Sequence, residues 1–364
     1  MKLWHIAALL LAGIAVGVTL PGRLTGVFGQ ATLYVFLPAL IFEAAWNLDF
    51  HLVRRAYMPI ALLALPGVAL TAAVIAACAH YTGAFAWESA LVLGAVLSAT
   101  DPVAVVAVFR RLDVPAELAT IVVSESLLND AVAVALYRVF VTIAVTSSAA
   151  GILRSGTSAA IGVFAGIASG VVLAWFVAFA LRRSIGASVQ CAATLAGAYA
   201  GYILADRFGW SGIFTVLAFG VVLRELERHR IAVAAAAGVA AFWESAALMA
   251  NVVLFFLIGA ALDLTQLRRA LPAAAVTVGA VLLARVVVSY GLLAAERARM
   301  RPFWRTVVRM AGIRGALSLA LALATPVTLV QRSLIVDATF AVVVVTILVG
   351  TLTLTPRLER LKLS

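Results

Sequence analysis

Long apolar windows separated by short polar breaks set the pattern of this chain. They recur at about 3–20, 28–47, 57–79, 88–109, 118–145, 157–181, 187–205, 210–223, 241–262, 271–294, 303–327 and 333–355. A helix needs about twenty apolar residues to cross a hydrocarbon layer roughly 30 Å thick, so the pattern predicts an all-α polytopic membrane protein with about twelve transmembrane helices. The window at 210–223 is the shortest. No small-residue cleavage site follows MKLWHIAALLLAGIAVG before the next window, so this stretch reads as a retained first span and not a signal peptide. No polar segment is long enough for a second domain, and residues 1–364 read as one membrane domain without a soluble one.

Composition agrees. The chain is 65% apolar and 12% charged, against roughly 45–50% and 25% in soluble domains. Its net charge of +11 could suggest nucleic acid, but the Lys and Arg residues are scattered through short loops with no basic aromatic stripe. They behave as topology signals instead. Seventeen lie in the N-terminus, the C-terminus and the loops on that side, and six in the alternate loops. The positive-inside rule therefore places both termini in the cytoplasm. Cys78 and Cys191 sit in apolar windows without metal-ligand spacing and read as small hydrophobes.

The exception to the apolar pattern is residues 96–138, where Asp101, Glu125, Asn129 and Asp130 interrupt apolar sequence. Ionisable groups in a span are costly and point to an ion or proton pathway. Ser126, Asn129 and Asp130 share one helix face, being three and four residues apart. Glu125 lies about 100° round the helix from Ser126 and addresses a different neighbour. Asp130 with the Ser126 hydroxyl offers hard oxygen ligands suited to an alkali cation. Removal from water disfavours the ionised carboxylate, so protons compete with that cation. Competition of two ions for one carboxylate is the chemistry of antiport.

Two windows in opposite halves are interrupted by helix breakers, Thr100-Asp101-Pro102 and Gly312-Ile313-Arg314-Gly315. Thr or Asp caps a helix and Pro starts one, so the first helix stops and restarts there. Paired interrupted helices point to a transporter site; the plainer alternative is two kinks without a ligand. Arg285 lies deep in its window and needs a partner, for which Glu125 is the candidate in a structural ion pair. Arg314 can balance acids or exposed carbonyls at the second break. Glu43 either faces the ion path or reaches the interface. Arg138, Arg309, Glu88, Glu244 and Asp337 are near enough to window ends to snorkel. No histidine is placed within a span as a proton relay.

FLPALIFEAAWNL, ATDPVAV, SESLLNDA, FWESAALMANVVLFFLIGAAL, ARVVV and AGIRGALSLALAL follow one another along residues 25–355. In this order they resemble sodium/proton antiporters of the bacterial NhaP type and the related eukaryotic NHE exchangers. The resemblance implies the NhaA/NhaP-like antiporter fold: inverted repeats with two broken crossing helices. It also implies a homodimer, with a core bundle including about 57–145 and 241–327 and the remaining helices forming a dimerisation or scaffold part. It makes Asp130 the carboxylate that binds sodium or a proton in turn. Ser126, the Thr100 backbone and Glu43 become sodium ligands, and Asn129 and Asp101 organise the site. Glu125 with Arg285 resembles the family's buried ion pair, and Arg314 its second core arginine. An Asn-Asp pair resembles the electroneutral branch, one cation for one proton.

Departures from the pattern are Ser124, where the family often has Gly, an expected start at the second of the thirteen spans common among members, and no long cytoplasmic tail in this sequence. The family's first helix contributes to the dimer contact, and a start codon chosen too late would look the same as its loss.

The expected function is exchange of sodium, with lithium or potassium as further candidates, for protons. No cofactor and no nucleic-acid partner is expected; the partners are the two ions, the lipid bilayer of a bacterial inner membrane and a second copy of the chain. Potassium/proton exchange keeps the same fold, since side-chain identity does not set cavity size. A non-transporting membrane sensor or scaffold would not need the carboxylate. An intramembrane protease would need a Ser/His pair or two catalytic aspartates in a recognisable setting, and neither is present. The chain is not expected to be an enzyme.

Overall fold

The computed structural model describes residues 3–19, 30–102, 105–106, 109, 114–146, 149–182, 186–229, 236–260, 264–292, 302–310 and 312–362. These form fifteen α-helices and, among the described residues, no strand. The helices are α1 (Leu3–Thr19), α2 (Gln30–Asn47), α3 (Phe50–Arg55), α4 (Tyr57–Ala64), α5 (Pro66–Tyr81), α6 (Trp87–Ser98), α7 (Ala116–Thr146) and α8 (Ala149–Leu181), followed by α9 (Ala187–Arg207), α10 (Gly212–Arg228), α11 (Ala236–Ala260), α12 (Leu264–Gly291), α13 (Pro302–Met310), α14 (Ala316–Ala324) and α15 (Arg332–Lys362). Among the described residues, six stretches are long and apolar enough to cross a bilayer: Tyr57–Tyr81, Ala116–Val145, Gly156–Leu181, Ala236–Leu257, Ala270–Gly291 and Arg332–Gly350. Ala8–Thr19 and Trp87–Ser98 are shorter apolar helices.

Helix ends depart from the apolar windows for local reasons. Pro66 opens α5 and constrains Leu65, so the window at 57–79 holds two helices. The short window at 210–223 becomes α10, which runs on through polar residues to Arg228, because backbone hydrogen bonding does not require apolar side chains. Gly209, at φ 73°, ends the turn after α9, and Ser211 caps α10 by accepting from the Phe214 N–H.

The chain divides into two compact units. One comprises Met1–Gly29, Leu52–Ser148 and Leu254–Ser364; the other comprises Gln30–His51 and Ala149–Val253. Within a bilayer, lipid tails are as apolar as Leu, so helices associate through close packing of small residues. In the second unit α8 lies on α10 through Gly166 and Gly170, and on the turn before α10 through Gly162, the three spaced by four residues. A Cβ at 166 would stand 2.6 Å from the Ser211 carbonyl oxygen, and one at 170 would stand 2.2 Å from that of Thr215. The opposite face of α8 presents Ile161, Phe164, Val172, Phe176 and Phe179, all exposed. Phe42, Trp46, Phe219 and Trp243 cluster in the same unit, with Phe42 at the centre. In the first unit, Gly94 of α6 abuts the Ala72 carbonyl of α5, and Gly13 and Gly17 of α1 abut the Phe256 and Ala260 carbonyls of α11.

Gly170→Val is therefore expected to destabilise the protein by about 1–3 kcal/mol, because rigid backbone must move to admit the side chain. Gly156→Ala, with nothing within 4 Å of the added carbon, serves as the control. Thermal unfolding of the two purified variants in detergent checks this; equal melting temperatures would contradict the packing argument.

Candidate functional site

Two non-helical segments of the first unit meet. Ala99 leaves α6 in extended conformation, with φ −61° and ψ 140°, and residues 99–102 follow without helical structure. Residues 312–315 likewise separate α13 from α14. The Asp101 N–H donates to the Ile313 carbonyl at 2.8 Å, and Ser318 Oγ donates to the Ala99 carbonyl at 3.4 Å.

A helix that stops inside a membrane leaves backbone groups without partners, at a cost of several kcal/mol each in lipid. Here each break supplies the charged side chain that serves the other. Arg314 is 1% exposed. Its Nε donates to the Leu97 carbonyl in the last turn of α6 at 2.8 Å, and its Nη1 to the Gly312 carbonyl at 2.7 Å. Its backbone N–H donates to Thr346 Oγ1 on α15 at 3.2 Å. Conversely, the Asp101 carboxylate lies against Gly315, the residue just before α14, so closely that a Cβ there would stand 1.9 Å from Oδ2. A cation thus sits at a helix C-terminus and an anion at a helix N-terminus, each the favourable sign for the helix dipole. Gly312 is required for a similar reason, since a Cβ would stand 2.6 Å from Arg285 Nε.

α7 docks on the first break through Thr100. Ser126 Oγ donates to the Thr100 carbonyl, Thr100 Oγ1 donates to Ser126 Oγ at 3.3 Å, and Asn129 Nδ2 donates to Thr100 Oγ1 at 3.1 Å. Ser126 and Asn129 are buried. Asp130, half-buried and next along the helix, lies within electrostatic reach of Asp101 and Glu125. Its Oδ1 is buried without a hydrogen-bond partner, and so is Asn129 Oδ1. Buried acceptors left unpaired are unfavourable and are relieved by a proton or a cation. The available donors are carboxylate, amide, hydroxyl and carbonyl oxygens, a hard set suited to an alkali ion.

Glu125 points to a different neighbour. Its Oε1 accepts from Arg285 Nη1 at 3.1 Å, with side-chain exposures of 2% and 11%. Arg285 Nη2 also donates to the Val308 carbonyl. The structure thus brings together Thr100, Asp101, Ser126, Asn129 and Asp130, with Glu125, Arg285 and Arg314 around them. Glu43 belongs to the second unit, where its Oε1 accepts from Asn47 Nδ2 at 2.8 Å. Of the residues expected to snorkel, Arg138, Glu88 and Glu244 are exposed and Asp337 is half-buried, while the Arg309 side chain lies outside the described residues. Leu97, Ile313 and Thr346 complete the crossing through a carbonyl or a hydroxyl, and nothing in their side-chain types or spacing marks them for it.

The family model described as "Sodium/hydrogen exchanger, transmembrane" matches residues 1–360. The Na(+)/H(+) antiporter ApNhaP of Aphanothece halophytica is 32% identical over 94% of this chain and 66% of its own length. The Na(+)/H(+) antiporter NhaP of Pseudomonas aeruginosa is 33% identical over 92% of this chain and 82% of its own. This chain therefore spans just under two thirds of the Aphanothece relative's length. The structure of the sodium proton antiporter MjNhaP1 from Methanocaldococcus jannaschii superposes with a TM-score of 0.78 at 19% identity, covering 97% of this chain and 92% of that one. The likeness shows that the two share a fold. With the family model matched over almost its full length, the chain belongs to the transmembrane sodium/hydrogen exchanger family of integral membrane proteins.

Proposed function

We propose that the protein exchanges sodium for protons across the membrane, one for one, by alternating access around Asp130. The observation that carries this reading is the buried, unpartnered Asp130 Oδ1 beside a helix crossing whose other charges are compensated. Glu125 is neutralised by Arg285, Asp101 sits at a helix N-terminus, and Arg314 is held by carbonyls. One net negative charge remains for one monovalent cation or one proton. Asp130, Ser126 and the Thr100 carbonyl are the proposed sodium ligands; Asn129 and Asp101 hold the geometry. Lithium, close to sodium in chemistry, is a second substrate on this reading. The site-bearing segments form a core, the remaining helices a dimerisation scaffold, and the working protein is a homodimer in a bacterial inner membrane with both termini cytoplasmic.

Proteoliposomes with an interior pH dye test this. Sodium added against an imposed proton gradient is expected to collapse it, and acid on the side that receives the cation is expected to inhibit sodium efflux, because the protonated carboxylate cannot hold the ion. A sodium flux indifferent to pH would sink the reading. A response to potassium alone would keep the fold and change the substrate.

A further inference from the structure

Gln331 is the only non-glycine residue at positive φ among the described residues, at 60°. A left-handed backbone is unfavourable for glutamine and persists where the surroundings hold it. The surroundings here are the loop between α5 and α6. Gln331 Oε1 accepts from the Ala86 N–H at 2.8 Å, and its Nε2 donates to the Ala84 carbonyl at 3.3 Å. Beside it, Ser89 Oγ donates to the Val330 carbonyl at 2.5 Å. Arg332 reaches back to the end of α14, donating from Nε to the Thr325 carbonyl at 2.7 Å and from Nη2 to the Leu323 carbonyl at 2.9 Å. Three consecutive residues thus tie the far end of α14 to the first turn of α6.

We propose that Gln331, with Val330 and Arg332, is a permanent clasp that keeps α6 and α14 together throughout the transport cycle and so preserves the geometry of the cation site. This deepens the antiport reading and rests on it. The two helices carry opposite halves of the crossing, and the hydrogen bonds that join them at the site include Arg314 to Leu97, Asp101 to Ile313 and Ser318 to Ala99. Joined at that end alone, they could hinge about the crossing. The clasp lies one α6 length away, about 18 Å for twelve residues. About 2 Å of play at that distance permits about 6° of rotation, which moves an atom about 5 Å from the crossing by about 0.5 Å, the tolerance that ion ligands must keep. A glycine would relax the backbone at 331 but could not bridge to Ala84 and Ala86. The retained strain therefore marks a requirement for the side chain.

The test uses the full chain. Gln331→Gly relieves the backbone while removing the clasp. It is expected to leave the melting temperature within a few degrees, to slow the sodium-driven dye response three- to tenfold and to raise the half-saturating sodium concentration. Ser89→Ala removes the neighbouring tie to the Val330 carbonyl, and combined with Gln331→Gly it is expected to slow the response further than Gln331→Gly alone. Two results would overturn the proposal: a wild-type rate in Gln331→Gly, or a slowed variant whose half-saturating sodium concentration is unchanged, which would mean that the cation site does not depend on the clasp. Absence of any sodium response in the unaltered chain would count against the antiport reading itself and is thereby distinguished.

Discussion

Asp130→Asn is expected to abolish sodium-dependent proton exchange, by at least about 100-fold, while leaving the protein folded. An amide cannot release a proton at any accessible pH, and its neutral oxygen cannot replace the carboxylate charge that offsets desolvation of the entering ion. The fold should tolerate the change because Asp130 Oδ1 has no partner to lose and an amide oxygen can still accept from the Thr100 backbone. Removing an uncompensated charge from a mostly buried site should hold or slightly raise the melting temperature. The dye assay and thermal unfolding, run on the same preparation, check both halves. Exchange persisting above one tenth of wild type in the variant would move the chemistry to another carboxylate.

Glu125→Gln should show the opposite pattern, with a loss of stability that precedes any effect on transport. The Glu125–Arg285 contact is made at 3.1 Å, with a nearly inaccessible carboxylate. Breaking a buried pair by removing one charge costs about 3–5 kcal/mol, since the other is left buried without compensation. Arg285 cannot turn away easily, as its guanidinium also holds the Val308 carbonyl and lies against Gly312. Combining Glu125→Gln with Arg285→Met should therefore cost less than the sum of the two single changes. A double-mutant cycle on detergent-purified protein measures the difference, and simple additivity would mean that the pair contributes nothing as a pair.

The helices were legible because lipid imposes one requirement, a long apolar run, and the windows report it directly. Their ends were less so: α8 begins at Ala149 and α10 ends at Arg228, in sequence too polar to register as a window. The six residues of α3 fall in a gap between windows. Glu125 and Arg285 could be matched from sequence because isolated intramembrane charges are few and each demands compensation. The partners of Arg314 could not, being main-chain carbonyls that every residue possesses. Gly312 and Gly315 were legible as helix breakers, but their closeness to Arg285 and Asp101 depends on segments far apart in sequence. The run Gly162, Gly166, Gly170 did carry a readable signal for close helix contact, a spacing of four in an apolar window, and it points to α10 only once the fold is known. Asp130 stood out for its residue type and setting; its unpartnered oxygen is a property of the assembled site.

The separation of Glu125 from Arg285 also bears on how the chain enters the membrane. The two lie 160 residues apart, and Arg314 is 217 residues from the Leu97 carbonyl it caps. At about 5–20 residues per second, ribosomes deliver Arg285 roughly 8 to 32 s after Glu125. During that interval α7 carries this acid without the arginine that pairs with it in the folded protein. A buried acid without its partner is costly in lipid, so the first half of the nascent protein is expected to keep Glu125 sheltered at the insertion site until synthesis of the last third supplies Arg285.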